Sequence, residues 1–573
     1  MDKRFFLALL LTAIVIVAPP LLFQRDGARR ASSGIDSSRV APGRTDSSHI
    51  QAPSSVSVAS SESRQITGTP TTSSPITSAP IETTTVETRL ARYRFSSLGA
   101  APVSVVLDSY PSRRPGAAKS AAELLPPRAA LAHYRLALGP DTVTLDTVSF
   151  RVQNTPSGNG SSLVYTGTVA GRPTTVTYSV PADSFLLHVG LKVDGAPAGS
   201  ALLLRLPRTL QSNEPDTLDD IRHLAVSYRL SSGDIESVAF TKLDSAESRG
   251  ETRPAQWIAT RNKYFLVAYR VGAKTPFMGV RLQGGPRSDK VANSITAGAI
   301  LPLSTEGRAG FDIYAGPQDF ERLQKLGSDL DQVNPYGGLL SGLVQPFSVI
   351  VMRVLLWIKR TTHLNYGWVL VLFGVIIRLA LWPLNQGAMR TSLKMQRLQP
   401  ELQALQKKFS DDPRKQQEAI MKVYKDHGMS PLSPLMGCLP MLLPMPVLFA
   451  LYYVFQNTIE FRGVPFLWLP DISLRDPYFI TPILMGLSMF LMSWIGMRNS
   501  PPNPQAKMMM FMMPVVLTVV FFNFASGLNL YYAVQNVAAI PQQWLLARER
   551  AKEPVAAAPM VRGVPVSAQK RRS

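Results

Sequence analysis

Residues 371–386 read VLFGVIIRLALWPLNQ. The run is apolar up to its closing Asn385-Gln386, except for Arg378. A guanidinium in such a run is expensive wherever the run is buried. An intramembrane charge as a rule faces a polar cavity and marks a pathway. The competing reading is a side chain that snorkels to the headgroups at the helix end. Asn385 marks that end, roughly 10 Å further along a helix.

Five apolar runs cover about 367–384, 439–456, 479–497, 508–524 and 528–546. Each approaches the ~20 residues that a bilayer-crossing helix needs. A further run, Phe5 to Phe23, follows Lys3 and Arg4. It is longer than the apolar core of a signal peptide, and Pro19-Pro20 occupy the place of a cleavage site. Residues 1–23 therefore read as an uncleaved signal anchor, with cleavage as the alternative. Six spans result. The loop 385–438 holds Arg390, Lys394, Arg397, Lys407, Lys408, Arg414, Lys415, Lys422 and Lys425. The loop 457–478 holds only Arg462 and Arg475, against Glu460, Asp471 and Asp476. The tail 548–573 is basic again. Basic loops stay in the cytoplasm, so both termini are expected inside and 457–478 outside.

Residues 24–88 are rich in Ser, Thr and Pro, and bury too little apolar surface to order themselves. They read as a disordered linker. From 89 to 336, segments such as TTVTYSV (174–180) and SFLLHVGLKVDG (184–195) alternate apolar and polar residues between Gly, Pro, Asn and Asp. That is antiparallel β structure with one buried face, enough for a large sandwich outside the cytoplasm. Residues 341–360 place Phe347, Ile350, Val351, Val354, Leu355 and Ile358 at helical spacing. An amphipathic helix in the outer interface is expected; a true span is the rival and would invert everything after it. Within 385–438, Met395, Leu398, Leu402, Leu405 and Phe409 recur at steps of 3 and 4, a coiled-coil seam. SDDPR (410–414) breaks it, and Gln417, Ile420, Tyr424 and His427 continue on a second helix. A cytoplasmic helical hairpin follows.

The 573 residues carry a formal net charge of +21. The basic residues are scattered without interleaved aromatics, so no DNA partner is expected; basic loops of a membrane protein account for the charge. With one cysteine, Cys438, there is no disulfide framework and no Cys-based zinc site. The six histidines show no metal-ligand spacing. Nucleotide-binding and metalloprotease motifs and serine-nucleophile elbows are absent. No cofactor, metal or enzyme activity is expected.

If Arg378 faces a cavity, other spans must supply polar groups. The last two do, with Asn523, Ser526, Asn529, Tyr531, Tyr532, Gln535 and Asn536. No Asp or Glu in the spans would pair with Arg378. An unpaired cation in a wet cavity suits an acidic group arriving from elsewhere.

In order along the chain come the anchor and β domain, GVIIRLALWPLNQ, KMQRLQPELQALQKKF, SPLMGCLPMLLPMPVLFALYYV, DPYFITPILMGLSMF and FFNFASGLNLYYAVQN. This set resembles the YidC membrane protein insertases of Gram-negative bacteria, within the wider Oxa superfamily. The resemblance implies a polytopic α-helical membrane protein of the inner membrane. Its five-helix core would enclose a hydrophilic groove, beside a periplasmic β-sandwich and a cytoplasmic hairpin. It implies that Arg378, Tyr532 and Asn536 line the groove, and that Met445, Leu448 and Val520 contact substrate; Asn523 and Gln535, polar residues of the last two spans, are expected from their own polarity to line it with them. Partners implied are nascent inner-membrane proteins, the lipid bilayer, the Sec translocon with its accessory subunits, and the ribosome through the basic tail. Pro444, Asn523 and Ala525 depart from the family pattern.

The physics of such an activity is simple. A wet groove shortens the dry distance that a polar tail must cross. Arg378 attracts acidic groups more strongly in a low dielectric, and transfer of the apolar segment into lipid drives completion. A secondary transporter with Arg378 as the site for a small anion remains the alternative. Transporters often show internal repeats, and none stands out here.

Overall fold

The computed structural model describes residues 81–117, 120–157, 160–288, 291–334, 341–383, 412–427, 445–498 and 504–552, with single positions between 386 and 409. The anchor 1–23, most of the linker, Met395, Cys438 and the tail from 553 lie outside the described residues.

The β structure opens earlier than composition suggests. Thr83–Glu87 pairs with Arg92–Ser96, so the last residues of the expected linker form a strand. The main sheet has nine antiparallel strands. It runs from an edge at Ile235–Ala239 through Phe265–Arg270 and Arg308–Pro317 to an edge at Arg151–Ser157. A six-stranded sheet faces it, and a four-stranded sheet begins the domain. The alternation explains the burial. In Arg172–Pro181, Thr174, Val176, Tyr178 and Val180 point inward while their neighbours are more exposed. The register sets Tyr178 opposite Val189 and Val176 opposite Leu191, so the next strand buries the same face. The polar tip of Tyr178 is satisfied inside the core. Tyr178 Oη donates to the Ala100 carbonyl at 2.7 Å and lies 2.6 Å from Tyr134 Oη of the facing sheet.

Nine α-helices occur among the described residues: α1 (Thr217–Arg222), α2 (Phe320–Leu326), α3 (Ser341–Thr362), α4 (Tyr366–Ala380), α5 (Pro413–Asp426), α6 (Met445–Asn457), α7 (Ile480–Met497), α8 (Pro504–Phe521) and α9 (Ser526–Lys552). α3 and α4 meet at a bend of 117°. α9 packs against α4, α6 and α7; α3 lies on α6 and α8 on α7. The shared core holds Val351 and Leu355 of α3, Phe373 of α4, Phe455 of α6, Met485 of α7 and Tyr531 of α9.

α3 is apolar beyond the face that it buries. Val351, Met352, Leu355 and Ile358 pack inward, while Phe347, Ile350 and Trp357 stay exposed. Among the described residues, α7 is the one helix that is long and apolar enough by itself to cross a membrane. α3 and α4 meet the criterion only together across their bend. The described parts of α6 and α8 are shorter apolar helices, and α9 is diluted by Asn529, Gln535, Asn536, Gln542 and Gln543.

Of the expected hairpin, α5 is described in full. Asp412 caps it by accepting from Lys415 N at 3.2 Å, and Pro413 occupies its first turn. Leu398 is buried with Val423 and Tyr424, and Leu402 and Leu405 pack against them. Phe409 is half-buried in the turn that follows.

Candidate functional site

α4 begins at Asn365, whose side chain accepts from Gly367 N at 2.9 Å. Val369, Leu370 and Phe373 bury one face, and Arg378 falls in the last turn. A cation there is favoured by the unpaired carbonyls of the helix C-terminus. The guanidinium is half-buried. Its Nη2 donates to Gln542 Oε1 at 2.8 Å. Its Nε is buried and has no hydrogen-bond partner among the described residues. No ion pair to Arg378 occurs among the described residues; Tyr531 is its ionisable neighbour.

α9 supplies the opposing wall, and its polar residues fall into two stripes. Tyr531, Gln535 and Gln542 face α4, at steps of four and seven that return to one side of a helix. Tyr531 packs on Phe373, ring centres 5.7 Å apart. Gln535 Nε2 donates to the Gly374 carbonyl at 2.7 Å, and Gln542 Nε2 to the Trp382 carbonyl at 3.4 Å. The other stripe faces α7. Asn536 Nδ2 donates to Ser488 Oγ at 3.1 Å and reaches the Met485 carbonyl at 3.4 Å. Tyr532 sits between them, its ring edge-on to Tyr531 and Phe521 at 5.5 Å each.

The structure therefore sets Arg378 of α4 against the α9 stripe of Tyr531, Gln535 and Gln542 and turns Asn536 toward α7. Asn523 is not part of this cluster. It is exposed in the connection between α8 and α9, more than 20 Å along the helix axis from Gln542 at the usual rise of about 1.5 Å per residue. Its polarity suits a turn, and that is where it lies. Leu448 is half-buried on α6, Met445 is the first residue of α6, and Val520 packs against the helical core beside Phe521. Gln542 is the residue that sequence reading passed over. Its spacing of seven from Gln535 was the available signal.

A second polar cluster lies where the β domain meets loop 458–478. Arg462 Nε donates to Glu214 Oε1 at 2.7 Å, and its Nη2 to the carbonyls of Pro111 and Asn213. Arg113 pairs with Asp471, which is itself buried. The Phe320 N–H donates to Glu460 Oε1 at 3.3 Å. Burial, reinforced by the charge of Asp319, pushes the Glu460 carboxyl up to about 8. Burial also raises Glu214, against the opposing pull of Arg462. The same loop starts α9: Ser526 N and Gly527 N donate to the carbonyls of Leu474 and Ile472 at 2.7 and 2.9 Å. No group of His, Cys, Asp and Glu among the described residues could hold a metal ion.

Two family models match successive parts of the chain. One, described as the 60Kd inner membrane protein, matches residues 357–553; the other, the YidC periplasmic domain, matches 83–350. The membrane protein insertase YidC of Chlorobaculum tepidum is 31% identical over 418 residues, 68% of each chain. The chain belongs to the YidC family. The membrane protein insertase YidC of Stutzerimonas stutzeri is 34% identical over 320 residues. That alignment covers 54% of each chain, so the chain matches about half the length of that relative. A crystal structure titled as an active YidC insertase with its first transmembrane domain resolved aligns over 81% of this chain and 94% of its own. It does so at 18% identity and a TM-score of 0.33. The β domain thus coincides with the YidC periplasmic match, and α4 to α9 lie within the inner-membrane match.

Proposed function

We propose that this YidC-family chain inserts inner-membrane proteins and helps them fold, by receiving their polar segments in a groove between α4 and α9. Arg378 is the receiving charge. Tyr532, Gln535 and Asn536 give the groove its polar character, and Met445, Leu448 and Val520 offer apolar contact to the passenger helix. Six spans, counting the anchor, place both termini and the hairpin in the cytoplasm and the β domain in the periplasm. α3 lies in the outer interface, with Phe347, Ile350 and Trp357 toward lipid. The chain works alone or beside the Sec translocon, and its basic tail meets the ribosome.

One observation carries this reading. Arg378 is held in an apolar helix by a neutral acceptor, with no ion pair among the described residues. A charge kept at that expense, without a counter-charge among the described residues, is suited to a transient one. No covalent chemistry is needed, since lipid transfer of the apolar segment supplies the drive.

The test replaces the resident insertase with Arg378→Ala and follows a small single-span passenger with an acidic tail by protease protection. Loss of protection is expected. Normal insertion of several acidic-tailed passengers would overturn the charge-capture role. Uptake of a small anion into proteoliposomes, without any effect on insertion, would replace the reading with a transporter.

A further inference from the structure

Gln542 lies one residue after Pro541, near the end of the apolar part of α9, and only 2% of it is exposed. Both ends of its amide are engaged. The oxygen accepts from Arg378 and the nitrogen donates to the Trp382 carbonyl. Trp382 follows α4 just beyond its C-cap Leu381, where the chain turns helical again. One buried side chain of α9 thus holds both the cation of α4 and the chain just past the C-cap of that helix. The two partners are 164 residues apart in sequence.

We propose that Gln542 is the positioning residue of the groove, holding the Arg378 guanidinium inward while leaving its charge uncompensated. The proposal rests on the insertase reading and adds a residue to it. An amide oxygen satisfies one of the five guanidinium N–H donors and carries no formal charge. A carboxylate at the same place would accept in the fork geometry that arginine favours and quench the cation. An alanine would remove the acceptor and free the long side chain to swing toward the helix end. Gln542 therefore does two things that neither substitute does: it fixes the direction of Arg378, and it leaves the guanidinium's charge for a passenger. The buried Nε without a partner is consistent with a site that still has donor capacity.

The experiment uses the full chain in cells depleted of the resident insertase. One single-span passenger is made in two forms, its tail bearing Asp and Glu or the matching Asn and Gln. The readout is the ratio of acidic-tail to neutral-tail insertion, which a loss of folding would not change selectively. Gln542→Glu is expected to lower that ratio to the level of Arg378→Ala, and Gln542→Ala to an intermediate level. Should Gln542→Glu accumulate poorly, Gln542→Met is read in the same assay. It keeps the length without the amide acceptor, and a selective drop for the acidic tail is again expected. A wild-type ratio with Gln542→Glu, where Arg378→Ala lowers it, overturns the positioning role and leaves the insertase reading standing. Equal loss of both passengers by Gln542→Glu and Gln542→Met assigns the residue to packing and also overturns it. No effect of Arg378→Ala on either passenger removes both.

Discussion

Arg462 and Glu214, 248 residues apart in the chain, form an ion pair of 2.7 Å with side chains only 3% and 7% exposed. Glu214 belongs to the β domain and Arg462 to the loop between α6 and α7. The guanidinium also lies 5.4 Å from the Phe265 ring centre and 5.9 Å from that of Tyr264. The β domain is thus seated on the helical core through a largely buried, charged joint, with Arg113 and Asp471 as a second pair. Such joints specify an orientation more than they stabilise it, because desolvation consumes most of the attraction.

Removing one partner is a different matter. Glu214→Ala leaves Arg462 buried without its counter-charge, a change that destabilises by about 3–5 kcal/mol where such pairs are broken. The single variant should release the β domain from the core. Cross-linking between a cysteine beside residue 214 and one beside 462 would report it. A double replacement, Glu214→Leu with Arg462→Met, should be milder than Glu214→Ala alone. Equal loss in both variants would show that the contact depends on shape and not on the pair.

Glu460 makes the same joint sensitive to pH. Its folded carboxyl titrates at about 8 against an ordinary value of 4.5, first because it is buried and then because Asp319 lies near. The folded state therefore binds the proton more tightly than the unfolded chain does. Its contribution is complete below about 4.5 and is lost as pH rises toward 8. One pKa unit corresponds to about 1.4 kcal/mol, so the loss is on the order of a few kcal/mol. Glu214, also raised, acts in the same sense. His223, lowered by burial, acts in the opposite one. Thermal unfolding of the wild type minus that of Glu460→Gln isolates the residue, and the difference should shrink below pH 4.5. A difference that does not vary between pH 4.5 and 8 would refute the assignment.

The elements that could be read from sequence are those whose signal is local. TTVTYSV alternates, and its Thr174, Val176, Tyr178 and Val180 all point inward. Arg378 stood out because nothing charged surrounds it. The strand Thr83–Glu87 was hidden because TTTVE shares the Thr-rich composition of the segment before it. Asn523 reads as groove lining because a polar residue in an apolar stretch resembles lining; the structure places it exposed in the turn before α9, apart from the Arg378 cluster. Gln542 and the Arg462–Glu214 pair were not legible for a shared reason. Each takes its meaning from a partner more than 150 residues away, and glutamine, glutamate and arginine near apolar ends otherwise read as solvated caps.

Gly527 sets how closely α9 approaches the loop that starts it. A Cβ there would lie 2.8 Å from the Phe455 ring and 3.1 Å from the Ile472 carbonyl oxygen, which also accepts the Gly527 N–H. Phe455 cannot yield easily, since it is fully buried and stacked on Phe461 at 4.9 Å. Gly527→Ala gains helix propensity of up to about 1 kcal/mol. Overpacking of a filled core typically removes about 1–3 kcal/mol. A net loss is expected, and Gly527→Val should be worse. Because α9 carries Gln535 and Gln542, the shift should also weaken capture of acidic passengers. A detergent-solubilised melting temperature that rises in Gly527→Ala would show that Phe455 moves aside.

Arg378→Lys separates charge from geometry. An ammonium keeps the cation but offers neither the planar fork nor the same reach to Gln542. Two unit charges 4 Å apart attract by about 1 kcal/mol in water and about 4 kcal/mol at the effective dielectric near a protein surface. With tenfold per 1.4 kcal/mol, Arg378→Ala should therefore slow acidic-tail insertion by about fivefold to several hundredfold. Lysine should recover most of this for a tail with one acidic residue, where a point charge suffices. It should recover less where arginine can hold a carboxylate through two N–H bonds. Insertion rates of passengers with one, two and three tail carboxylates, compared across Arg, Lys and Ala at position 378, give the answer. If lysine matches arginine for every tail, the guanidinium and its tie to Gln542 add nothing to the charge. If lysine matches alanine, then what the groove recognises is the directed N–H fork, and the charge alone is not enough.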